Sequence, residues 1–290
     1  MANKINIRKI IATANSEYAK WIMNERMAML VVMAVYIQNT VAGPLLDHAK
    51  RMDTPLNVLE PLIATVNSNA MILVVPALFL ALFADFPRID GNTVFFVIRT
   101  GKLNWILGQF VFAIYAVISY ILFLVLVSVL PVMQNAFFAD GWSLAVSRYA
   151  KTYPDEARSF ACVLLPGNLY NQMSPFYTAI AGTGLLALHL LCIALIMLCF
   201  QSFHKKLAGL LAVAASIVLG VGTFVLDNDM MWLFPTAHVT LSTHFTEHYA
   251  QQKVLVGTSV WYMVSLLAAL LFISIICMKR MQFDCIQELD

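Results

Sequence analysis

Between Arg26 and Asp47 the chain runs for 20 residues without a charge, between Glu60 and Asp85 for 24, and between Lys206 and Asp227 for another 20. A bilayer core asks for about 20 apolar residues per helical span, so each interval is one helix long. Lys253 to Lys279 encloses 25 neutral residues; Lys102 to Asp140 encloses 37 and Arg158 to Lys205 encloses 46, room for a helix and a loop each. Only 12% of the residues are charged and 61% are hydrophobic, whereas a soluble globular chain averages about 25% charged. The fold class expected is therefore an all-α integral membrane protein with spans near 27–46, 62–84, 103–130, 179–201, 207–226 and 256–278. The neutral stretch after Asp229 contains Pro235, His238, His244 and several Ser and Thr, and reads as lying outside the membrane.

An even number of spans puts both termini on one side. If that side is cytoplasmic, its segments hold 12 of the 18 basic residues, from Lys4 to Arg280, and the outer segments hold six basic against nine acidic residues. The excess of Lys and Arg in cytoplasmic segments sets this orientation in a multi-pass protein of the cell membrane. No cleavable signal is expected, because Lys and Arg interrupt the residues before Arg26. Cys162, Cys192, Cys199, Cys277 and Cys285 form no CxxC pair, and no disulfide framework is expected.

Ahead of the first span, Ile7, Ile11, Ala14, Tyr18 and Ile22 recur at spacings of three and four. That periodicity predicts a helix over 4–24, either lying along the membrane interface or solvated on the cytoplasmic side; Trp21 near the boundary favours the interface. Between the second and third spans, Asp90 or Asn92 is placed to cap a short helix with Val94 to Ile98 as its body and Gly101 at its end. Residues 131–178 form a long outer loop subdomain, residues 227–255 a second outer segment, and the basic turn before Lys206 makes the fourth and fifth spans antiparallel neighbours. The whole chain reads as one membrane domain.

No Walker A loop, dinucleotide glycine fingerprint or Gly-x-Ser-x-Gly elbow occurs, so no catalytic machinery is expected in this chain. The spans hold no Asp, Glu, Lys or Arg away from their ends, where an ion-coupled carrier usually has one. His189 is the titratable exception apart from Cys and Tyr, read as packing or as a proton relay. Gln38, Asn39 and Thr40 in the first span and Asn67, Ser68 and Asn69 in the second either line a translocation path or hold helices together. Pro76 is expected to kink the second span. His244 and His248, one helical turn apart beside Glu247, have a spacing that can hold a metal, or are solvated or capping residues; no third ligand has a fixed offset.

The order of parts, an interfacial helix, six spans, a cytoplasmic helix after the second and outer helices before the sixth, resembles the ABC type-2 exporter permeases. Ala84-Asp-Phe-Pro-Arg-Ile-Asp90, followed by Arg99-Thr-Gly-Lys-Leu-Asn-Trp-Ile-Leu-Gly108, looks like the loop that bacterial members place before their third span, and Leu233-Phe-Pro-Thr-Ala-His238 is similar to their Ser-Pro-containing segment. The resemblance implies a permease subunit that moves an amphipathic, lipidic or peptide-like substrate by alternating access. Its coupling helix would be about Asn92 to Lys102, with Asn92, Phe95, Phe96, Arg99 and Lys102 contacting a separate ATPase. ATP and Mg would be bound by two ATPase copies, beside a second permease copy or a sister permease, within membrane lipid and without nucleic acid. The rival readings are an ATP-independent carrier or channel and a membrane-embedded metal enzyme. The loop 131–178 is longer than usual for that family.

Overall fold

The computed structural model describes residues 5–88, 91–203, 205–246 and 251–280, with the side chains of all of these except 91–95 and 278–280. It is 79% helical, and the neutral intervals become helices of unequal character. Five are long and apolar enough to cross a membrane: Glu25–Met52, Lys102–Asn135, Pro175–Gln201, Lys206–Val225 and Val256–Cys277. A sixth crossing exists if the bent pair Glu60–Asn67 and Met71–Phe83 is one span. The chain is thus an all-α, multi-pass membrane protein.

Helix α1 (Ile7–Ile22) begins at Asn6, whose side chain accepts from Lys9 N, a standard way of satisfying an orphan amide. It runs alongside α7 (Lys102–Val129) in the same direction. Asn6 N donates to Asn104 Oδ1 at 2.9 Å, and further along Tyr18 shares a hydrogen bond with Ser119. The close approach is made at Gly108, where a Cβ would stand 2.6 Å from Thr13 Cβ and 3.0 Å from the Ile10 carbonyl. Gly108→Leu is accordingly expected to push α1 away at a cost of about 1–3 kcal/mol. Lower thermal stability with early proteolytic loss of the N-terminal segment checks this; unchanged melting refutes the packing role.

The first span is composite and continues to Met52, past the expected end at 46. It consists of a 3-10 turn Glu25–Ala28, α2 (Met29–Ile37), a π-helical turn Gln38–Ala42 and α3 (Gly43–Met52). Pro44 follows the π-helical turn inside the continuous helix, and Asp53 closes that helix with φ 50°, ψ 42°.

The region expected as the second span, 62–84, departs most from expectation. Pro76 lies inside an unbroken α5 (Met71–Phe83), and the disruption sits upstream, between α4 (Glu60–Asn67) and α5, where the axes differ by 77°. Ser68 is extended (ψ 147°). Asn and Ser compete with helical backbone through their own side chains, which is why Asn67-Ser68-Asn69 stops the helix and Pro76 does not.

Helix α6 (Gly91–Thr100) follows, and Gly101 joins it directly to α7 with φ 89°, ψ 142°. That conformation lies outside the left-handed helical well and is open essentially to glycine alone.

After a 3-10 turn, the segment from 136 to 174 folds onto the end of α3. It contains β2 (Ala136–Phe137), which pairs in parallel with β1 (Leu56–Asn57), then α8 (Leu144–Ser147), α9 (Tyr149–Thr152), α10 (Phe160–Leu164) and α11 (Gly167–Tyr170). The last three spans are α12 (Pro175–Gln201), α13 (Lys206–Val225) and α15 (Val256–Arg280); α14 (Pro235–Val239) and a 3-10 turn Leu241–His244 precede α15. Helix α12 is the most buried crossing and α15 the least, so α12 is the centre about which α4, α7, α13 and α15 pack.

The two ends of the bundle differ. At one, Asp85 pairs with Arg26 at 2.9 Å and with Lys206 at 3.0 Å, drawing together the starts of the first span and of α13. Partial burial alone would raise its carboxyl, but the two cations outweigh it and hold it below the ordinary value. At the other end, the His48 ring stacks on Tyr149 with centroids 3.5 Å apart, and Arg51 and Tyr149 both donate to Glu156 at 2.6 Å. Those two donors hold the Glu156 carboxyl below its usual range. The four described cysteines, Cys162, Cys192, Cys199 and Cys277, are free; Cys285 lies outside the described residues.

Candidate functional site: the break between α4 and α5

In lipid, backbone without a helical partner is tolerated where protein buries it or a cavity is lined by it. The break after Asn67 meets that condition, since every residue from Glu60 to Ser68 is buried. Ser68 N donates back to Ala64 O at 3.1 Å, and the Ser68 carbonyl accepts from Met71 and Ile72, which starts α5 without a continuous ladder.

Three parts of the chain surround the break. The segment before α15 contributes Leu241, whose buried N–H donates to Asn67 Oδ1 at 3.0 Å. Helix α12 contributes Gly182, where a Cβ would lie 2.5 Å from Asn67 Nδ2; only the missing side chain leaves room for the amide. Helix α7 touches both halves: Thr65 on α4 shares a hydrogen bond with Ser128 at 2.9 Å, and Tyr120 donates to the Val75 carbonyl of α5, also at 2.9 Å.

Several buried polar atoms near the break have no hydrogen-bond partner among the described residues: Asn67 Nδ2, Ser68 Oγ, both ring nitrogens of His189, Thr236 Oγ1 and Thr240 Oγ1. Orphaned polar groups cost about 1–3 kcal/mol each and are rare in folded proteins. His189 and Thr236 line one small cavity of about 10 Å³ with Thr65, Ile72 and Pro76, about the space of one water. The cluster carries no formal charge. Its amide, hydroxyl and imidazole groups are equipped to hydrogen-bond an uncharged polar group.

The residues singled out from the sequence divide unevenly. Asn67 and Ser68 are buried at the break and Asn69 is exposed; on the first span Asn39 is exposed and Gln38 and Thr40 are half-buried in the π-helical turn, with Thr40 bonding to the Tyr36 carbonyl. In α6, Phe96 is half-buried against the core, Arg99 is exposed, and Lys102 is half-buried at the start of α7; the side chains of Asn92 and Phe95 lie outside the described residues. Lys9 of α1 donates to the Arg99 carbonyl at 2.9 Å, tying the end of α6 to the N-terminal helix. His244 is buried, with both ring nitrogens engaged by Thr240 and Ser259, while Glu247 and His248 lie outside the described residues.

Sequence reasoning gave Glu60 no role beyond ending a span. Its fully buried carboxyl accepts from Asn57 N at 3.1 Å and from Ser143 N at 2.6 Å, so one side chain ties α4, β1 and α8 together. An acidic residue in a first helical turn followed by proline is a recognisable start signal; Ser143, 83 residues away, leaves no local trace.

Fold and site together define a class: an all-α multi-pass membrane protein with a buried, sharply bent helix pair, Glu60–Asn67 and Met71–Phe83. No protein-family model, characterised protein or solved structure matches this chain.

Proposed function

We propose that this chain is the permease subunit of an ATP-driven exporter of the ABC type-2 kind, moving an amphipathic, lipidic or peptide-like substrate with ATPase chains supplied separately. The observation that carries the reading is α6. It stands between the second and third spans, at the same end as the Arg26–Asp85–Lys206 cluster, and it presents Ile98, 76% exposed, beside exposed Arg99. An exposed apolar residue next to a cation, on a short helix braced by Lys9, suits docking into a partner groove. On this reading the basic end is cytoplasmic, ATP and Mg belong to the partner, and two permease copies face each other in the cell membrane. ATP binding moves the chain only if the partner grips α6 differently in its two states.

The test is the double substitution Phe95→Asp with Arg99→Glu in the protein purified with its ATPase and reconstituted in liposomes. Substrate-stimulated ATPase activity is expected to fall about tenfold or more, the effect of losing one strong contact, with membrane insertion intact. Coupling at the wild-type level refutes the assignment.

A second reading draws on the unpartnered polar groups at the break. There the chain is a carrier or channel working without ATP, and the uncharged cluster around Asn67 and His189 is its binding site. Transport by the purified chain alone in liposomes selects this reading over the first.

A further inference from the structure

His238 and His244 flank Ser259 of α15, and the hydrogen bonds around them do not balance. His238 Nε2 lies 2.9 Å from the Trp232 carbonyl and His244 Nδ1 lies 3.0 Å from the Thr240 carbonyl. A carbonyl only accepts, so both of these nitrogens carry hydrogen. In neutral rings the remaining nitrogens, His238 Nδ1 and His244 Nε2, are then bare lone pairs. Each is 2.8 Å from the same Ser259 Oγ. One hydroxyl has one hydrogen, which satisfies one ring and leaves the other facing an oxygen lone pair. A single added proton removes the conflict: the charged ring donates to Ser259 Oγ, and Ser259 donates to the neutral ring.

We propose that His238, Ser259 and His244 form a binding site for one proton, which fastens the segment 235–245 to α15. All three residues are buried. The Tyr262 ring of α15 stacks on His238 with centroids 4.2 Å apart, its hydroxyl spent on the Leu233 carbonyl, and Trp232 packs edge-on against both rings, 5.2 and 5.4 Å away. From α12, His189 lines a cavity with Thr236 and Val239, and Cys192 acts on Tyr262. Asp229 is exposed, and exposed Asp227 reaches Lys253 at 3.9 Å. No carboxylate among the described residues acts on either ring; the ionisable neighbour of His244 is His238. Burial opposes charging, lowering both imidazoles and taking His244 to about 4. Burial and repulsion together therefore bar a second proton, while the Ser259 bridge favours the first.

The site has a wider reach because the same segment delivers the Leu241 N–H to Asn67 at the break. Proton uptake is thereby linked to the seating of segment 235–245 over the break between α4 and α5.

The experiment is ¹⁵N NMR of the full chain in nanodiscs with histidine rings labelled, between pH 8 and pH 4. The pair is expected to take up one proton per molecule, with the resonances of both rings moving in a single transition. His244→Gln puts an amide N–H where the proton would sit, so His238 is expected to stop titrating while the fold is kept. Ser259→Ala is expected to abolish the joint transition. Two rings that stay neutral throughout, two protons taken up independently, or a joint transition that survives in Ser259→Ala would each overturn the proposal.

Discussion

Glu60→Ala is expected to release the 136–174 segment from the bundle and to cause the largest loss of stability of any single substitution considered. The side chain satisfies two buried amides, those of Asn57 and Ser143, and an amide left unpaired away from water costs about 1–3 kcal/mol. Asn57 in turn holds the Ala139 and Gly141 carbonyls through its side chain at 2.7 and 2.9 Å, so the damage spreads from the carboxyl into the parallel β1–β2 pairing. A melting temperature lower by about 10 °C follows from the loss of both bonds in a chain of this size, with new protease cleavage between 136 and 174. Glu60→Gln keeps one acceptor oxygen and should fall between wild type and Ala. Equal stability of the Ala variant and wild type would remove Glu60 as the tie.

The second large effect is expected at Asn67. Asn67→Ala orphans the Leu241 N–H and empties the space beside Gly182, again at about 1–3 kcal/mol. Gly182→Val attacks the same contact from α12 by driving a side chain into the Asn67 amide, 2.5 Å from even a Cβ. If the break is where substrate or conformational change is managed, both variants lose transport in liposomes by more than their modest melting shifts explain. Transport that merely tracks the remaining folded fraction would reduce Asn67 to a packing residue.

How far the residues announce this architecture differs from element to element. The helices 175–201, 206–225 and 256–280 follow from charge-free intervals, because the bilayer sets their length and no asparagine or internal proline interrupts them. Helix α6 and its terminal glycine were legible from the charges and small residues bounding 85–102. The break in the second span was visible as polar residues, yet the apolar interval runs through it, and Pro76 offered a competing site of disruption that α5 absorbs. The π-helical turn at Gln38–Ala42 has no signature in the residue pattern. The His238–Ser259–His244 arrangement joins residues 21 and 15 positions apart; it depends on how segment 235–245 folds back on α15, which spacing does not reveal. For the same reason the bond between Glu60 and Ser143 had to be seen in the fold.

The length of α7 carries a mechanical implication. Its 28 residues make a rod of about 42 Å, about 12 Å more than the hydrocarbon it crosses. Gly101 joins one end of it to α6, and its other half holds both α4 and α5 through Ser128 and Tyr120. Any load applied at Arg99 would travel along a stiff lever and arrive at the 77° bend between α4 and α5.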